Sequence, residues 1–105
     1  MPEITYMHLE GRINNPQARI EPVGIILHYI GNPGTSAKAN ANYFAHVNSQ
    51  VSVNYIVDDN EIIEIIPPYM KSYGTSSGEY NGKYIQIEMC HKDAAGVINE
   101  GTLEN

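Results

Sequence analysis

Two side chains have surroundings that ask for a chemical explanation, His28 and Glu88. His28 interrupts the apolar run Gly24-Ile-Ile-Leu-His-Tyr-Ile30, just ahead of the turn Gly31-Asn-Pro-Gly34. The run is Ile-rich, bounded by Gly and Pro and of strand length, so it predicts a strand over 24–30 buried on both faces. Side-chain alternation puts Ile26, His28 and Ile30 on one face, with His28 near the strand's C-terminal end, where α/β sheets place their chemistry. Glu88 lies in Tyr84-Ile-Gln-Ile-Glu-Met-Cys90, where Ile85, Ile87 and Met89 alternate with Tyr84, Gln86 and Glu88. Plainer readings stand beside the chemical ones: a satisfied core histidine, and a strand face wetted by solvent. Taken together, a histidine and a carboxylate near the ends of two central strands form the arrangement that a metal-bound water and its general base require.

The elements that must position these residues follow along the chain. Residues 1–22 carry Pro2, Gly11, Asn14-Asn15-Pro16 and Pro22, an irregular arm with one short strand within 4–9 that covers a sheet edge. Thr35 or Ser36 caps a helix over 37–47, in which Ala37, Ala41, Phe44 and Ala45 make a small apolar face and His46 a surface position. Val51–Val57 and Glu61–Ile66 form a hairpin about Asp58-Asp59-Asn60, and Pro67-Pro68 ends it. Residues 71–83 read as a Ser/Gly/Tyr-rich surface loop able to shape a site, and 84–90 as a strand. In the tail, Thr102 is a candidate helix cap with less than a turn of chain after it.

Composition bounds the rest. The 105 residues suffice for a single domain spanning 1–105, and the 42% hydrophobic and 17% charged fractions are those of a globular chain. Six Lys and Arg stand against twelve Asp and Glu for a net charge of −6. Nucleic acid and anionic membranes are therefore poor partners. The apolar runs at 23–30 and 62–70 are too short to span a bilayer, and the N-terminus shows no export signal. The expectation is synthesis in the cytoplasm and action elsewhere only after lysis or non-classical release. The single cysteine, Cys90, excludes an internal disulfide framework and reads as a buried structural thiol.

Five segments, in order, resemble one family. They are Gly24–Ala37, Ala41-Asn-Tyr-Phe44, Val51–Asp58, Glu64-Ile-Ile-Pro67 and Ile85-Gln-Ile-Glu-Met-Cys-His91, within a match over 23–96. The family is that of the zinc-dependent N-acetylmuramoyl-L-alanine amidases of phage-lysozyme-like type, which includes Gram-positive prophage endolysins and autolysins. The resemblance implies an α/β domain, a mixed central sheet with helices packed on it. It also implies cleavage of the amide between N-acetylmuramic acid and L-alanine in peptidoglycan of the cell wall. Carried over by position, His28 matches a zinc ligand and Glu88 the general base; Asn54 and Tyr73 stand where the family often has histidines and could contact substrate. His8, His46 and His91 match no ligand position. The family's other two zinc ligands, with a C-terminal helix, lie beyond the point matching Glu104. The alternative is an amidase-derived domain that binds peptidoglycan fragments without zinc. Without that helix one sheet face would be apolar and exposed, to be covered by a homodimer or a partner chain.

Overall fold

The computed structural model describes residues 3–11, 13–29, 34–75 and 77–90. The candidate cap at Thr102, the tail and His91 lie outside the described residues. Five strands, β1 (Ile4–Tyr6), β2 (Gly24–Tyr29), β3 (Tyr55–Val57), β4 (Ile62–Glu64) and β5 (Tyr84–Met89), form one sheet in the order β1-β4-β3-β5-β2. The sheet is mixed: β3 and β4 pair antiparallel, while β1 with β4, β3 with β5 and β5 with β2 run parallel. Strands that follow one another in the chain and run parallel require a crossover, and the helix α1 (Ala37–His46) supplies it from β2 to β3, which lies on the far side of β5.

The helix forms where its sequence allows. Ser36 is the N-cap, its Oγ accepting from the Ala39 N–H at 3.0 Å, and Asp58 Oδ2 accepts from the Ala37 N–H at 2.8 Å. That second bond docks the helix start onto the hairpin turn and places a carboxylate at the positive end of the helix. Ala37, Ala41 and Phe44 then pack into a core with Val53, Ile56, Ile63, Ile65, Ile66 and Cys90. Ala45, expected on this apolar face, is exposed, and buried Asn40 takes a place there instead. His46 is exposed, as its position on the helix surface implied.

The hairpin at 58–60 turns without a left-handed residue, because Asp58 Oδ1 accepts from the backbone N–H groups of both Asn60 and Glu61. The N-terminal arm does cover an edge: β1 pairs with β4, and the pairing continues through Met7 N–H to Glu64 O at 3.0 Å and Leu9 N–H to Ile65 O at 2.9 Å. Asn14, with φ of 53°, closes the arm by donating to the Phe44 and Val47 carbonyls at the helix end and accepting from the Ser49 and Gln50 N–H groups.

Two further expectations are corrected. The run at 24–29 is an edge strand and is not buried on both faces: Ile25, Leu27 and Tyr29 are 58%, 58% and 62% exposed. Its apolar composition is that of a covered strand, yet among the described residues no element packs on that side of β2. The 71–83 segment contains a short helix, α2 (Gly78–Asn81), capped by Ser77, whose Oγ accepts from the Tyr80 N–H. No helix among the described residues is long and apolar enough to cross a membrane.

Candidate active site

Strand register builds the site. His28 is opposite Glu88, Glu88 opposite Ile56, and Ile56 opposite Ile63, and residues level with one another across a sheet share a face. The Ile56–Ile63 end of this strip lies under α1 in the core, while His28 and Glu88 at the other end are half-buried. The expected pair is therefore assembled on adjacent strands by backbone pairing alone. The reading of Glu88's face as solvated fails, because Gln86, two residues earlier on the same face, is 0% exposed.

Three polar side chains share this corner. His28 Nε2 is 2.5 Å from Gln86 Oε1. Glu88 Oε2 is buried and has no hydrogen-bond partner, as does Gln86 Nε2. Burial pushes the Glu88 carboxyl above the usual carboxylate range, and the neighbouring His28 opposes the shift. A carboxylate whose pKa is raised by desolvation, beside an imidazole, is a candidate for taking up and releasing a proton. Cys90 continues the same strand into the core; burial first, then the charges of Asp58, Glu88 and Asp59, push its thiol up to about 12. It remains a protonated, buried thiol, consistent with a structural role.

The other two candidate residues go to different places. Asn54 is 0% exposed and fully engaged by its own chain. Its Nδ2 donates to the carbonyls of Ile66, Pro67 and Met70, and its Oδ1 accepts from Ser72 Oγ and the Gln86 N–H. No polar atom of Asn54 is left over for a substrate, so the geometry gives it the work of tying β3, the 66–72 turn and β5 together. Tyr73 is half-buried, its N–H donating to Ser52 Oγ and its carbonyl accepting from the Ser52 N–H. It lines a polar cleft of 610 Å³ with Asn48, Gln50, Lys71, Thr75 and Asn81. His28 and Glu88 are not on the walls of that cleft.

Gln86 is the site residue that the strand pattern left unassigned. The available signal was its parity: on an alternating strand it shares a face with Glu88, and hence with His28 once the two strands pair.

A catalytic zinc needs three protein ligands. Among the described residues no group of three or more His, Cys, Asp or Glu could hold a metal ion. His8 is instead committed to Glu64, 2.6 Å away, on the other face of the sheet. The described residues thus offer His28 as one possible ligand and do not complete a zinc site.

This mixed sheet with its crossover helix has the fold of known amidase catalytic domains. The N-acetylmuramoyl-L-alanine amidase family model matches residues 18–105, and the chain belongs to that family. Among solved structures it resembles the catalytic domain of XlyA (28% identity, TM-score 0.78, 87% of this chain and 63% of that one). It is also similar to a mutant endolysin from Bacillus subtilis (29% identity, TM-score 0.79, 93% and 66%). PlyL shares the fold at 24% identity with a TM-score of 0.86, over 99% of this chain and 67% of that one. The chain thus spans just under two thirds of the length of the first two. No curated protein sequence matches it.

Proposed function

We propose that the chain acts in peptidoglycan hydrolysis, cleaving the amide between the lactyl group of N-acetylmuramic acid and L-alanine, with Glu88 as general base. The observation that supports this most is the half-buried Glu88 carboxylate, level with His28 and carrying an unpartnered oxygen. A buried acceptor without a partner costs stability, and a proton-transfer role accounts for keeping it. Family membership supplies the substrate class, and the setting that goes with it is the cell wall, reached after lysis or non-classical release by a prophage endolysin or autolysin.

His28 would provide one ligand to zinc, with the others drawn from outside the described residues. When bound, zinc supplies Lewis-acid polarisation of the scissile carbonyl and a lowered pKa for bound water. The chain's own residues orient the imidazole, hold the carboxylate at reduced hydration and offer Tyr73 on the cleft wall as a hydrogen-bonding contact.

A second reading is a peptidoglycan-binding domain without zinc. It is favoured by the lack of a three-ligand group among the described residues.

The test is metal content per chain after purification with zinc, run beside digestion of purified cell walls. About one zinc with new amino-terminal L-alanine and no new reducing ends supports the amidase. Both should be lost in His28→Ala and release alone in Glu88→Ala. Cell-wall binding by a folded chain with neither zinc nor release supports the second reading.

A further inference from the structure

We propose that Gln86 is the positioning residue of this site: its buried side chain holds His28 through Nε2, leaving Nδ1 as the nitrogen with the free lone pair. A neutral imidazole has one N–H and one lone pair, and the group bonded to one nitrogen decides which nitrogen carries the proton. With Gln86 Oε1 at 2.5 Å from His28 Nε2, the amide oxygen accepts, Nε2 carries the hydrogen and Nδ1 is left unprotonated.

Gln86 is itself fixed from three directions. Its N–H donates to Asn54 Oδ1 at 2.9 Å, and its carbonyl accepts from the Asn54 N–H at 2.9 Å. The side chain lies against Gly74: a Cβ added there would fall 2.6 Å from Gln86 Cγ and 2.7 Å from both Cδ and Oε1. Glycine at 74 is what permits this close approach, and the approach leaves the amide little freedom to swing away from His28. Asn54 therefore acts on the site indirectly, by fixing the strand position from which Gln86 reaches the imidazole. The ring geometry stands whether or not the amidase reading does; that reading enters only in saying what the Nδ1 lone pair serves.

The test is nitrogen-edited NMR of the His28 ring in the full chain, at a pH where the imidazole is neutral. The expected signature is an unprotonated Nδ1 together with a solvent-protected Nε2–H. Gln86→Met preserves length but removes the acceptor, and should lower the protection of that proton by about tenfold, the scale of one lost hydrogen bond. Gln86→Glu restores an acceptor and should restore the protected signal. If Gln86→Met does not fold, Gln86→Leu takes its place. A protonated Nδ1 in the unaltered chain would mean the amide is oriented with its nitrogen toward His28 and would overturn the proposal. So would unchanged protection of Nε2–H in the variant lacking an acceptor. Cell-wall digestion does not enter the readout, so a chain with no hydrolytic activity still reveals whether Gln86 sets the ring.

Discussion

Asn54 and Glu88 lie on neighbouring chain segments of one sheet, on the same face, and each is a polar group withdrawn from water, yet they are treated in opposite ways. Every polar atom of the Asn54 side chain has a partner within the chain, five hydrogen bonds in all. Glu88 keeps a buried oxygen with none. A satisfied buried amide stabilises the fold, whereas an unsatisfied carboxylate costs it free energy. The contrast separates a residue held by the architecture from one whose buried oxygen the proposed general-base role would account for, although both looked like site residues when judged by type and position alone.

Substitutions on either side should undo this contrast. The largest effect expected is from Asn54→Ala, which strands three backbone carbonyls and the Gln86 N–H in the interior. A loss of about 3 kcal/mol or more is expected, measured by urea unfolding, and a change under about 0.5 kcal/mol would deny Asn54 its architectural role. Gly74→Ala comes next. The added methyl meets the Gln86 side chain at 2.6 Å, and overpacking of this kind costs about 1–3 kcal/mol; thermal melting would show it.

On the other side, Glu88→Gln should stabilise. Burial raises the folded-state pKa of Glu88 above its unfolded value, so between the two values the native state holds a proton that the unfolded chain has released. The favourable contribution is therefore complete below the unfolded pKa and is lost as pH rises through the folded one. The variant should melt a few degrees higher than the unaltered chain near neutral pH, with the gap closing towards about pH 4. A lower melting temperature at neutral pH would show that the carboxylate is structurally useful. The smallest effect is expected on the bare side of β2: Leu27→Thr exchanges a 58% exposed side chain and should move stability by no more than about 0.5 kcal/mol.

Local pattern disclosed much of this fold. The alternation at 84–90, the Ser36 cap and the hairpin about Asp58 all depend on neighbouring residues; the first two form within a residue of their expected place, while the hairpin forms about the expected turn with strands shortened to Tyr55–Val57 and Ile62–Glu64. What depends on distant packing was harder to read. The Ile-rich run at 24–29 cannot report whether its second face has a neighbour, so a half-exposed edge strand resembled a buried one. Residue type at 54 showed that a polar group was present, but not that the partners were the carbonyls of 66, 67 and 70. The meeting of His28 and Glu88 was foreseeable because each is a polar residue near the end of a strand rich in apolar residues, and the register brings them level. Gln86 was not, because its role depends on a strand register that brings together residues 58 positions apart.

The most direct test of Glu88 as general base is release of L-alanine-terminated stem peptide from purified cell walls by Glu88→Gln, compared with the unaltered chain at equal folded concentration and equal zinc content. Loss of a positioned general base should lower the rate by at least about 100-fold in a protein that melts no lower than the original. An unchanged rate would contradict that role, and would mean that the unpartnered carboxylate opposite His28 is not the proton acceptor of the reaction.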